Sequence, residues 1–136
     1  MFRYKKFDFS FNGRISLGNY VYNNVASGSS YAGLYNTAGA LNNLNASILS
    51  TKFANPQYWS DYFLENGSFL RLDNTTLGYN IDKIGGGKTN LRVYANVQNL
   101  FIITKYTGLD PEIFGGIDNN IYPRPRTFMF GVNLEF

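Results

Sequence analysis

The chain contains neither cysteine nor histidine. That removes disulfides, thiol nucleophiles, the common zinc sites and histidine general bases, and it leaves the compartment open. Charge is sparse as well: Asp, Glu, Lys and Arg make up 15% of the residues, against about 25% in ordinary soluble domains. Twelve Lys and Arg against nine Asp and Glu give a net charge of +3. The cations are scattered singly apart from Lys5-Lys6 and the proline-spaced Arg124 and Arg126, so there is no basic stripe for a nucleic acid. No apolar run approaches the roughly 18 residues of a membrane-spanning helix. The opening Met1-Phe2-Arg3-Tyr4-Lys5-Lys6 has no continuous apolar export core. Nothing suggests an enzyme or a cofactor: Asp8, Asp73 and Glu135 fall in separate strand patterns with no nucleophile or base beside them. Gly85-Gly86-Gly87 lacks the spacing and following helix of a phosphate loop.

Aromatic residues are abundant, at 18%, with 11 Tyr and 12 Phe, while mean hydropathy is only −0.23. That combination suits strands that are apolar on one face and polar on the other. The final nine residues state it plainly. Phe128, Phe130, Val132, Leu134 and Phe136 recur with period two and share one face, while Met129, Gly131, Asn133 and Glu135 take the other. Three further strands are predicted. Over Phe7 to Tyr22, Phe7, Phe9, Phe11, Ile15, Leu17 and Val21 share a parity, with Gly13 interrupting. Over Ser68 to Asp82, Leu70 and Leu72 lie on one parity but Leu77, Tyr79 and Ile81 on the other. Over Leu91 to Phe101, Leu91, Val93, Ala95 and Val97 oppose Arg92, Tyr94, Asn96 and Gln98. The phase change near Asp73-Asn74 has two readings, a bulge or a pair of leucines standing above a membrane.

The connections run long (Asn23 to about Gly67), short (through the glycine triplet), long (Ile102 to Arg126). Outer-membrane barrels alternate in this way, with short periplasmic turns and long extracellular loops. Leu41, Leu44 and Ile48 have the spacing of a short helix inside the first loop. About four strands fall short of the roughly eight that the smallest closed barrels need, and an open sheet edge in lipid leaves backbone groups unpaired. The fold expected is therefore all-β: C-terminal antiparallel strands of a large transmembrane β-barrel with two long extracellular loops, residues 1–136 being the C-terminal part of a longer chain.

Several stretches resemble one family. Ser60-Asp61-Tyr62-Phe63-Leu64-Glu65-Asn66-Gly67-Ser68-Phe69-Leu70-Arg71-Leu72, followed by Leu77-Gly78-Tyr79, is similar to a C-terminal signature of SusC/RagA-type TonB-linked outer-membrane proteins. Asn99-Leu100-Phe101 with Lys105-Tyr106 resembles the end of TonB-dependent receptors generally. Gly108-Leu109-Asp110-Pro111-Glu112, Tyr122-Pro123-Arg124-Pro125-Arg126-Thr127 and the terminal Phe136 look SusC-like, as do Phe7-Asp8 and Gly18-Asn19-Tyr20-Val21-Tyr22. The resemblance implies a barrel of about 22 strands with a plugged lumen, in the cell outer membrane. It also implies TonB-dependent uptake of oligosaccharides or peptides and a SusD-like surface lipoprotein as partner. Plug and TonB-contacting segment lie N-terminal in the family and outside this chain. The rival reading is a self-contained soluble or surface β module that binds carbohydrate.

Candidate functional residues follow. The stripe Phe128, Phe130, Val132, Leu134 and Phe136 resembles the signal read by the outer-membrane assembly machinery, through strand addition at an edge. Packing against lipid accounts for it too, and both can hold. Tyr58 and Trp59 lie in the first long loop, where they either meet a glycan or the lipoprotein or simply pack the loop. Asp110, Glu112 and Asp118, with Asn119 and Asn120, put oxygen groups in the second loop at a spacing that matches no calcium motif. Tyr20, Tyr22, Tyr79 and Tyr122 suit an interfacial aromatic girdle, with stacking on a sugar as the functional alternative. Arg14 and Arg92 fall on the predicted lumen parity, whereas Arg71 shares the parity of Leu77 and is expected on the lipid side toward the outer end.

Overall fold

The computed structural model describes all residues except Ala38, Gly39, Gly85–Lys88, Ile121 and Phe136, so the glycine turn and the last aromatic of the terminal stripe lie outside the described residues. The chain divides into two compact units: Met1–Ser16, Phe69–Ile103 and Arg124–Phe136 form one, Leu17–Ser68 and Thr104–Pro123 the other.

The first unit is a five-stranded sheet. In chain order its strands are β1 (Phe2–Tyr4) and β2 (Phe7–Ser16), then, after two short strand pairs that belong to the second unit, β7 (Phe69–Ile84), β8 (Thr89–Thr104) and β9 (Thr127–Glu135). The sheet order is β1-β2-β7-β8-β9. The β1–β2, β2–β7 and β8–β9 pairs are antiparallel. Four of these strands answer the sequence pattern. The extra one, β1, is turned back onto β2 by Lys5-Lys6, with Lys5 in the left-handed region at φ +53°. Both β7 and β8 run to 16 residues, long for a globular strand, for which about 5–6 residues is usual.

Register explains the phase change in β7. Asn12 pairs with Asn74, but the next residue, Gly13, pairs with Leu72, so Asp73 is the extra residue of a β-bulge. A Cβ on Gly13 would lie 2.9 Å from the Arg71 carbonyl oxygen, which is why the partner position carries no side chain. Because a one-residue shift exchanges the two faces, the bulge puts Leu70 and Leu72 on the same side as Thr75, Leu77 and Tyr79. Ile15↔Leu70, Phe9↔Leu77 and Phe7↔Tyr79 all become same-face pairs. The same shift corrects the placement of Arg71. It pairs with Arg14 on the opposite, polar face, not on the side of Leu77.

The second unit is built from the two long connections. It holds the pairs β3 (Tyr20–Tyr22) with β6 (Leu64–Asn66) and β4 (Asn36–Thr37) with β5 (Ala40–Leu41), and the short helices α1 (Asn24–Ser29) and α2 (Ile48–Thr51). The first predicted strand thus stops at Ser16 and resumes as β3, broken at Gly18, whose φ of +79° suits glycine alone. The helix expected around Leu41 to Ile48 is confined to α2, and Leu41 belongs to a strand. Asn23 caps α1, its side chain accepting from the Ala26 N–H at 2.9 Å, worth about 1 kcal/mol. Tyr22, Ala26 and Phe63 form a small core, with Phe53 against it. These connections are folded structure with a core of their own.

Candidate functional site

The two faces of the sheet call for different surroundings. On the polar face, Arg92 on β8 reaches over β7 to Asp8 on β2, with Nε–Oδ1 at 2.9 Å and Nη2–Oδ2 at 2.5 Å. Asn80 Nδ2 adds a third donor to Asp8 at 3.2 Å. Asp8 is only 3% exposed. A bidentate, charge-assisted pair is what keeps such a carboxylate tolerable away from water. The pair crosses β7 at Gly78, the cross-strand partner of Asp8. One step along, Asn96 Nδ2 donates to Asn74 Oδ1 at 2.5 Å and Thr76 Oγ1 at 2.7 Å. Beyond it, Arg14 donates to both oxygens of Asp73 at 2.7 and 2.9 Å. Arg14 and Arg92 therefore sit on the polar parity expected of them. The guanidinium of Arg92 also stands 5.2 Å from the centre of the Tyr94 ring, a cation–π distance.

The other face is apolar and bare. Phe7, Phe9, Phe11, Ile15, Leu70, Leu77 and Val93 are all exposed on it. Ring contacts knit its aromatic end, Phe7 to Tyr79 at 4.8 Å and Phe9 to Phe11 at 5.8 Å. Four residues of the terminal stripe, Phe128, Phe130, Val132 and Leu134, continue it through the pairs Val97↔Phe128, Ala95↔Phe130, Val93↔Val132 and Leu91↔Leu134. Phe130 is 83% exposed. Moving one such side chain from water into hydrocarbon is worth roughly 1.5–3 kcal/mol. A contiguous apolar surface of this extent on a folded sheet marks an interaction face.

In the second unit the candidate loop residues divide into two kinds. The acidic ones serve local structure. Asp118 is buried and accepts from the Tyr106 hydroxyl at 2.6 Å and the Asn120 N–H at 3.0 Å. Asp110 is buried and accepts from the Glu112 N–H at 2.9 Å. Burial and the bond to Asp118 together push the Tyr106 hydroxyl well above the usual tyrosine range. Among the described residues, no three acidic side chains gather as a metal site. Glu65, which the sequence pattern did not single out, joins the two connections: it accepts from Asn23 Nδ2 at 2.9 Å and from the Thr107 N–H at 2.7 Å.

The aromatic candidates point outward. Tyr58 is exposed and its hydroxyl is hydrogen-bonded to Tyr31, which raises the Tyr31 pKa. Trp59 is 75% exposed although its ring stacks on Tyr22 at 5.4 Å and 18° and its backbone N–H donates to the Tyr22 hydroxyl at 2.7 Å. Its φ of +60° costs a non-glycine residue roughly 1–2 kcal/mol. Tyr22 itself is buried, and its hydroxyl donates to Ser27 Oγ at 2.9 Å. It is a core residue and no part of a girdle, while Tyr20 and Tyr122 remain exposed.

No family model matches the chain. It is 47% identical to the TonB-dependent receptor SusC of Bacteroides thetaiotaomicron over 98% of its length, and 34% identical to the TonB-dependent receptor P3 of Formosa agariphila over 98%. It spans only 14% and 15% of those relatives' own length. The fold matches a chain of the RagAB peptide transporter with a TM-score of 0.80 at 26% identity, covering 97% of this chain and 16% of the other. A second RagAB structure, in its closed-closed state, matches at 0.79 and 26%, covering 98% and 16%. Sequence, fold and the two-faced sheet agree: the chain belongs to the SusC/RagA-type TonB-linked outer-membrane family, and its sheet is a stretch of the wall of a large transmembrane β-barrel.

Proposed function

We propose that this chain is the C-terminal portion of an outer-membrane importer that takes up oligosaccharides or peptides with energy from TonB. In this reading a SusD-like surface lipoprotein assists at the outside. The apolar face meets lipid, the polar face lines the lumen, and the second unit faces the exterior. Missing strands close the ring and a plug fills it. The stripe ending in Phe136 is read by the assembly machinery. The role is transport and involves no catalysis.

The observation that carries the reading is the division of faces, kept continuous across the Asp73 bulge: bare Phe, Leu, Ile and Val on one side, and on the other a hydrogen-bonded polar network that includes the nearly buried Asp8–Arg92 pair. Lipid on one side and a wet lumen on the other satisfy both. A self-contained soluble module would leave the first side in water.

The test uses the full-length protein in its own cell. Fractionation is expected to place it in the outer membrane. Uptake of labelled oligosaccharides or peptides is expected to cease on loss of either this protein or TonB, and the surface lipoprotein is expected to co-purify. Recovery of the protein in the soluble fraction without detergent, or uptake indifferent to its loss, refutes the proposal. Removal of Phe136 is expected to slow barrel assembly, and an unchanged rate removes the assembly role.

A further inference from the structure

Trp59 is held in an unusual way for an exposed residue. Its backbone sits in the left-handed region at φ +60°, a conformation that persists in a tryptophan only where surroundings enforce it. Here the enforcement is visible. The Trp59 backbone N–H is fixed at 2.7 Å on the Tyr22 hydroxyl, that hydroxyl is fixed at 2.9 Å on Ser27, and the indole lies nearly parallel to the buried Tyr22 ring. One ring face is therefore backed by the core of the second unit. With 75% of the residue still exposed, the opposite face is open.

The flanking sequence, Asn55-Pro56-Gln57-Tyr58-Trp59-Ser60-Asp61-Tyr62, alternates aromatic rings with amide, hydroxyl and carboxylate groups. Asn55, Gln57, Tyr58, Asp61 and Tyr62 are all exposed. A rigid, backed aromatic plane with exposed hydrogen-bonding residues beside it in the chain fits a sugar ring. The C–H face of a pyranose stacks on the indole while its equatorial hydroxyls find amide and carboxylate partners. A hydrophobic peptide anchor instead needs a concave apolar pocket.

We propose that Trp59 is a stacking platform for a pyranose ring of an incoming neutral oligosaccharide, with Asn55, Gln57 and Asp61 supplying polar contacts. This rests on the importer reading given above and narrows its substrate class to glycans at this position.

The test uses the full-length protein, purified in detergent without its lipoprotein, and titrated by calorimetry with maltoheptaose, cellohexaose and xylohexaose and with an unrelated peptide of similar length. Trp59→Gly removes the ring but keeps a residue at ease with positive φ. Trp59→Phe keeps a smaller aromatic face. The expected result is affinity for at least one of the sugars that falls about tenfold in Trp59→Gly, with Trp59→Phe between the two, as the loss of one aromatic stack predicts. Heat-modifiable mobility should be unchanged in both variants, and a change that follows folding alone counts against a binding role.

Sugar affinity that is equal in wild type and Trp59→Gly overturns the platform while leaving the importer reading intact. So does wild-type binding of the peptide and of none of the sugars. Loss of lipoprotein co-purification in Trp59→Gly with sugar affinity unchanged overturns it in favour of a protein contact. Absence of TonB-dependent uptake of any kind strikes the importer reading itself, and is measured separately in cells.

Discussion

Replacing Gly78 by alanine is expected to damage the barrel wall well beyond the cost of one methyl group. An added Cβ at this position would overlap the Asp8 carboxylate and lie 2.6 Å from Arg92 Nη2. The Asp8 carboxylate has no room to retreat, because its short side chain is 3% exposed and is held to Arg92 through two bonds. The methyl group must therefore part the pair. Breaking a buried ion pair by removing one partner costs about 3–5 kcal/mol. Arg92 keeps 28% of its side-chain exposure and can recover some hydration, so we expect about 2–4 kcal/mol for Gly78→Ala. Gly131→Ala is the internal comparison. There the obstacle is the hydroxyl end of the Tyr94 ring, the far end of a side chain that can swing aside, and the expected cost is about 1 kcal/mol. The assay is the loss of heat-modifiable mobility of the full-length protein on semi-native gels, together with urea unfolding in detergent. Equal stability of Gly78→Ala and wild type, or a larger loss in Gly131→Ala than in Gly78→Ala, refutes the claim that the pair across β7 limits this part of the wall.

Other consequences are equally direct. Deleting Asp73 removes the extra residue and leaves a regular β2–β7 ladder, with Leu70 and Leu72 still on the side of Leu77 and Arg71 still on the polar face. Only the ion pair to Arg14 is lost, so full-length protein carrying the deletion is expected still to reach the heat-modifiable state, and its failure to do so refutes the assignment of Asp73 as the inserted residue. Leu77→Arg sets a charge among the bare apolar side chains and is expected to cost about 2–4 kcal/mol near the bilayer midplane, whereas Thr76→Arg on the opposite face is expected to cost less, as measured by folding into liposomes. Tyr106→Phe removes a hydrogen bond to a buried carboxylate and is expected to cost the second unit about 1.5–3 kcal/mol, seen as faster amide hydrogen exchange. Because the Tyr106 pKa is raised in the folded state, its contribution is complete below the ordinary tyrosine pKa of about 10 and fades as pH climbs above it. The wild type should therefore lose protection in that alkaline range more steeply than Tyr106→Phe.

Much of the sheet could be read from period two alone. The Leu91–Val97 and Phe128–Leu134 stripes face one another across β8 and β9 as their parities require, since alternation is a local property of extended backbone. The phase change in β7 was visible too, but its cause was not: an inserted residue is defined by its neighbour strand, and only the pairing with Asn12 and Gly13 reveals it. The misplacement of Arg71 followed from counting parity straight through Asp73. The long connections were harder. Their fold depends on partners remote in sequence, such as Asn23 with Glu65 and Thr107 or Tyr106 with Asp118, which no short window contains. Trp59 stood out by type and location, but its left-handed backbone and its seat on Tyr22 are properties of the packed unit.

Glu65 holds the two long insertions together through Asn23 and Thr107, and Asp118 takes the Tyr22 backbone on one side and the Tyr106 hydroxyl on the other. Neither insertion can drift on its own. A graft that exchanges these surfaces between related TonB-dependent receptors would have to move both stretches as a matched set, and natural diversification of these surfaces would be expected to proceed by joint replacement.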